Sequence, residues 1–126
     1  MAEFSDYMEN KIIEVMRATT FTAAAAYVAL YTTDPTDADT GTEVSGGAYA
    51  RQLAGLSVAS GGASSNAADI TFPTATANWG IVAFVALMDA ATLGNVFMHS
   101  PLDVNKTVNS GDTFKINAGD LDVTIS

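Results

Sequence analysis

Few residues in this chain could do chemistry, and they fall into three groups. His99 is the single histidine, with Ser100 and Asp103 close behind it. These are the residue types of a nucleophilic triad, in which a base takes the hydroxyl proton and a carboxylate orients the base. A Gly-x-Ser-x-Gly elbow is absent, and residues so close along one segment rarely face one another. A solitary histidine with no cysteine and no His-x-x-x-His pair also makes a poor metal centre, so it is expected at a strand end on a polar face. The second group is Asp34, Asp37, Asp39 and Glu43, hard oxygen donors at near-alternate spacing that could hold Ca²⁺. The EF-hand pattern fails there, because Gly41 stands where a ligand belongs and Thr42 where the glycine is obligatory. A solvated acidic loop without a metal is expected. The third group comprises Arg51 and two glycine pairs. Gly46-Gly47 and Gly61-Gly62 lack the lysine and the strand-to-helix context of a phosphate loop. Arg51, beside Tyr49, is expected to pair structurally with a carboxylate or a backbone carbonyl. Fourteen acids always supply pairs of the glycosidase kind, but Asp120 and Asp122 share one strand face and point to solvent. No catalytic residue, cofactor or metal ligand is assigned, and the chain is expected to be non-enzymatic.

The elements that would carry these residues are mostly strands. Residues 5–17 form the one convincing helix. Ser5 is its N-cap, and Met8, Ile12, Val15 and Met16 recur at helical spacing to make one apolar stripe. Glu3, Asp6 and Glu9 suit its positive end and Arg17 its negative end, and Thr19-Thr20 closes it. Tyr27 to Thr32 alternates, whereas Ala23 to Ala26 taken alone favours helix. Asp34-Pro35 opens a long polar loop that runs to residue 47. Tyr49 to Ser60 is extended, with Gly55 marking a bend. Residues 60–66 read as a small-residue turn, and Ile70 to Phe72 as a short strand stopped by Pro73. Ile81 to Met88 is the longest strongly apolar, β-branched and aromatic run. It predicts a central strand buried on both faces, entered at Trp79. Val96 to Met98 returns after a hairpin-like connection. Thr113 to Ile116 and Leu121 to Ile125 read as a terminal hairpin turning at residues 117–120. About seven or eight short strands with frequent turns indicate a mainly β, single antiparallel β-sandwich of jelly-roll or Ig-like kind. The whole chain, 1–126, is expected to be one domain, with the helix ahead of a sandwich over residues 21–126.

Composition narrows the partners. A net charge of −9 provides no basic footprint for nucleic acid. No apolar run approaches the roughly 20 residues that span a bilayer. The N-terminal residues lack signal-peptide features, so a soluble protein without a visible export signal is expected. Charged residues make up only 15% of the chain, against about 25% in ordinary domains. So small a charged share predicts surface hidden against neighbouring chains.

Two segments carry a family resemblance: Tyr27-Val-Ala-Leu-Tyr-Thr-Thr-Asp-Pro-Thr-Asp37, and Gly41-Thr-Glu-Val-Ser-Gly-Gly-Ala-Tyr-Ala-Arg-Gln52. Further matches are Ile70-Thr-Phe-Pro-Thr-Ala-Thr-Ala-Asn-Trp-Gly80, Met88-Asp-Ala-Ala-Thr92 and Lys106-Thr-Val-Asn-Ser-Gly-Asp112. Through them the chain resembles a family of small tailed-bacteriophage virion proteins labelled tail fibre protein, Glu43 to Gln52 being the most specific part. The resemblance implies a non-enzymatic structural protein of the virion. A short chain without shaft or repeat favours a capsid cement or decoration protein that binds the major capsid protein as a symmetric oligomer, with a trimer expected. The alternative is a tail or tail-fibre component engaged in host attachment. A carbohydrate-binding role would need Tyr27, Tyr31, Tyr49 or Trp79 exposed as a stacking platform. The expected contacts are Met8, Ile12 and Met16 on the helix and Asp34, Asp37, Asp39 and Glu43 on the loop.

Overall fold

A computed structural model describes residues 3–125. In chain order the elements are β1 (Glu3–Phe4), α1 (Asp6–Met16), β2 (Tyr27–Tyr31), β3 (Gln52–Leu53), β4 (Ala63–Ser65), β5 (Ile70–Thr71), β6 (Gly80–Met88), β7 (Val96–Val108), β8 (Lys115–Ile116) and β9 (Asp122–Thr124). Five strands form one antiparallel sheet in the order β1-β7-β6-β2-β3. Two ribbons, β4 with β9 and β5 with β8, supply a second layer. The result is the expected small, mainly β sandwich.

The apolar run 81–88 is β6, in the middle of the large sheet between β7 and β2. Its C-terminal half, Val85 to Met88, is buried on both faces, while Gly80 and Ile81 at its start are exposed. On one face Val28, Leu30, Val85 and Leu87 join the main core with Ile70, Phe72 and Phe114 from the ribbon side. Ala29, Tyr31, Ala86, Met88 and Val96 form a thinner cluster on the opposite face. This division follows the pleat, because neighbouring residues of a strand point to opposite sides. Trp79 is buried at the entry to β6, where its Nε1–H donates to the Gly47 carbonyl at 2.9 Å.

Helix α1 keeps its predicted bounds. Ser5 caps it by accepting the Met8 amide, and Ser5 is itself tied to β7 through the Val96 and Phe97 carbonyls. Its end differs from the expectation. Ala18 takes a left-handed φ of 66°, the Thr19 amide bonds to the Glu14 carbonyl and the Ala18 amide to that of Val15. This paired closure, rather than the β-branched Thr19-Thr20, stops the helix.

Three further expectations need correction. The small-residue stretch 60–66 holds strand β4, which pairs with β9, and only its first residues form the turn. The strand expected at Val96 to Met98 extends to Val108. Between the pairs Val82/Lys106 and Phe84/Pro101 the sheet has an irregularity in which four residues of β7, Leu102 to Asn105, stand against Ala83 alone. The terminal hairpin does not form, because β8 pairs with β5 and β9 with β4. Asn66, 1% exposed, explains the last point. Its side chain donates to the Asn117 carbonyl and accepts the Leu121 amide, and its backbone bonds to Gly119 and Leu121. The 117–121 connection is therefore wrapped around a side chain from another part of the chain. Its flanking strands turn outward to different partners.

Candidate functional site

The acidic loop divides its four carboxylates among three destinations. Gly41 sets the loop's tight closure: a Cβ there would lie 2.4 Å from the Asp34 carbonyl oxygen. The Thr40 amide bonds to the Pro35 carbonyl, and the Asp34 side chain accepts the Thr36 amide. This geometry, not a calcium loop, accounts for glycine at position 41.

Asp34 and Asp37 go to His99. The histidine is 6% exposed and lies well inside β7, not at a strand end on a polar face as expected. Its Nε2 is 2.8 Å from Asp37 Oδ1, and its Nδ1 is 3.8 Å from Asp34 Oδ1. Glu3 of β1 stands directly opposite His99 in the antiparallel register, which places both side chains on one face. Glu3, Asp37 and His99 each bring one ligand-type atom to within 4.8 Å of the others. The Asp37 carbonyl also accepts the Asp6 amide at 3.0 Å, so the loop is clamped to the first turn of α1.

Asp39 goes to Tyr31, whose hydroxyl donates to it at 2.8 Å. Glu43 goes inward. Arg51 donates to it through Nε and Nη2, Tyr49 donates its hydroxyl at 2.6 Å, and the same tyrosine oxygen accepts the Leu30 amide. The Arg51 Nη1 reaches the Ala90 and Leu93 carbonyls in the β6–β7 connection. Arg51 is therefore structural, as its sequence setting implied, and it takes both a carboxylate and backbone carbonyls. Burial, then the hydrogen bond to Glu43, pushes the Tyr49 hydroxyl far above the usual tyrosine range. Burial and Asp39 do the same to Tyr31. The hydrogen bond to Glu43 raises the Arg51 guanidinium further and keeps it charged. In the ribbon layer the Ala118 amide and Lys115 hold Asp69 below the ordinary carboxylate range.

The helix stripe is only partly used. Met8 and Ile12 are half-buried, no residue of α1 is fully buried, and Ile13, Val15 and Met16 are 52%, 51% and 74% exposed. The acidic rim of Asp34, Asp37 and Asp39 thus meets the first turn of α1 through the clamp at Asp6, while the exposed apolar residues lie at the opposite, C-terminal end of the helix. Glu43, expected on the contact surface, faces the fold and is an internal staple. Sequence reasoning passed over Glu3 and the exposed Ile13. The register that brings Glu3 to His99 is a long-range pairing without a local signal.

No described aromatic side chain is fully exposed, and Tyr31 and Trp79 are buried. An open groove of about 550 Å³ lies between β7 and the 114–123 segment, but its aromatic member, Phe114, is buried too. Of the rings expected to stack on sugars, Tyr31 and Trp79 are thus unavailable, and Tyr27 and Tyr49 are half-buried. No described helix is long and apolar enough to cross a membrane.

The family described as podophage GP4 fiber I protein gp80 matches residues 3–124. The chain belongs to that family. It is a tailed-phage virion structural protein of a family labelled fibre protein, as the resemblance implied. A comparison with curated proteins finds no match. The fiber I description favours the fibre alternative over a capsid cement or decoration role. Association with other virion proteins follows from membership.

Proposed function

We propose that the protein is a non-enzymatic fibre component of a tailed-phage virion. It docks on neighbouring chains through the exposed C-terminal end of α1, with the acidic rim at the helix's other end as a second contact. The observation that carries this reading is the exposed apolar end of α1, where Ile13 and Met16 share one side and Val15 another, on a helix with no fully buried residue, in a chain of the fibre family. Exposed apolar clusters on a charge-poor protein mark contacts with other chains. A stable contact buries roughly 1,000 Å² or more, so α1 supplies the centre of an interface rather than the whole of it. Few charges and exposed apolar residues on α1 favour association of like chains, and the proposed state is a trimer, in which closed symmetry would repeat each contact. The burial of Tyr31 and Trp79 weighs against direct sugar binding by this chain and in favour of a scaffolding place within the fibre.

Immunogold labelling of intact virions with antibody to the purified chain tests this placement. Label on the tail assembly is the expected result. Label on the head shell alone would sink the fibre reading and restore the capsid cement role with the major capsid protein as partner.

A further inference from the structure

We propose that Glu3, Asp37 and His99 form a binding site for a divalent first-row transition ion of the Zn²⁺ class, which locks the N-terminal strand and the acidic loop onto β7. The inference does not depend on which part of the virion the chain occupies. The three side chains come from separate places, β1, the loop and β7, and their ligand-type atoms already lie within 4.8 Å of one another. Bonds of about 2 Å to a common ion require donors roughly 3–3.5 Å apart. Asp37 and His99 now share a 2.8 Å hydrogen bond, which an ion would replace by parting the two atoms slightly, and Glu3 is exposed beside them.

Charge points the same way. Asp34, Asp37 and Glu3 surround one imidazole, and no lysine or arginine among the described residues pairs with any of them. The described arginine and lysine pairs are Arg17–Glu14, Arg51–Glu43 and Lys115–Asp69, all elsewhere. A cation relieves that excess of negative charge. The partners are also held ready. Glu3 is fixed opposite His99 by register, Asp37 by its carbonyl on the Asp6 amide, and Asp34 by the Thr36 amide. Asp34 lies 3.8 Å from His99 Nδ1, too far for a hydrogen bond but close enough to add negative charge beside the ring. One nitrogen with two carboxylate oxygens selects zinc-class ions over Mg²⁺ and Ca²⁺, which prefer oxygen ligands alone. Three protein ligands leave the remaining positions to water.

The test is a titration of the untagged full chain with ZnCl₂, with MgCl₂ and CaCl₂ as controls, followed by calorimetry and by the ring signals of the single histidine in NMR. Saturable binding of one Zn²⁺ per chain is expected, with the His99 ring signals shifting in step and no response to Mg²⁺ or Ca²⁺. His99→Gln should abolish it. Because His99 is buried and its loss could disturb the fold, Glu3→Gln at an exposed position is the deciding variant. It should weaken binding at least about tenfold, as even the loss of an outer partner costs roughly 10–100-fold. An unmoved His99 ring at saturating Zn²⁺, equal binding of Ca²⁺, or unchanged affinity in a folded Glu3→Gln protein would overturn the proposal.

Discussion

Arg51 and Glu43 meet fork to fork, with Nε 2.8 Å from Oε2 and Nη2 2.8 Å from Oε1. The pair lies inside the segment that resembles the phage family most specifically. It fastens the end of the acidic loop, the Tyr49 strand approach and the β6–β7 connection to one point. The Arg51 side chain is 7% exposed and that of Glu43 24%, so removing one partner strands a charge in a poorly solvated place.

Arg51→Ala should therefore destabilise the fold by about 3 kcal/mol, the lower end of the range for breaking a buried pair. Arg51→Lys should recover less than half of that, since an ammonium cannot make the planar two-bond contact or reach the Ala90 and Leu93 carbonyls together. Urea unfolding followed by the fluorescence of the single tryptophan measures both.

The raised Tyr49 hydroxyl gives a signed prediction with pH. Its folded-state value lies above the ordinary 10.0 of the unfolded chain, so the neutral form is favoured in the fold. The stability this contributes is complete below pH 10.0 and is lost progressively as pH rises past it, because the unfolded chain then releases the proton more readily. Tyr31 acts in the same sense. Tyr49→Phe should cost about 1–3 kcal/mol at neutral pH, since the Leu30 amide loses its acceptor. The same variant should flatten the fall in urea midpoint between about pH 9 and pH 11.

Ala18 is a position where the sequence is not optimal for the structure. It holds the left-handed closing position of α1 that glycine adopts without a Cβ penalty. Ala18→Gly should raise stability by about 1 kcal/mol. A thermal melt compared with wild type checks it, and a loss of stability would show that the closure is not held in solution.

Much of this arrangement could be read from residue order, and the remainder shows what sets the limit. The apolar run of β6, the Ser5 cap and the structural role of Arg51 all depend on neighbours in sequence or on residue type, and each was foreseen. The terminal hairpin failed because alternation fixes which residues face inward but not which strand lies alongside. Asn66, roughly fifty residues upstream, decides that by occupying the turn. His99 was misplaced for a similar reason. A polar residue in a strand suggests a solvent face unless its carboxylate partners are known, and these arrive from positions 3, 34 and 37. Ile13 and Val15 are exposed because among the strands α1 touches only β1 and β7, a tertiary fact that helical periodicity does not contain.

The exposed set on α1 yields a prediction that separates contact from stability. Ile13→Lys combined with Met16→Glu should leave the melting midpoint close to wild type, since exposed substitutions usually shift stability by no more than about 0.5 kcal/mol. It should nevertheless abolish self-association in sedimentation velocity. An unchanged oligomer would move the interface elsewhere.

The central claim, that this fibre-family protein sits in the tail assembly and is held there by α1, is tested most directly by cryo-electron microscopy of the intact virion. The reconstruction should place the domain in the tail assembly, with Ile13, Val15 and Met16 packed against a neighbouring chain. Density for the domain on the head shell alone, or an α1 face turned to solvent within the tail, would contradict it.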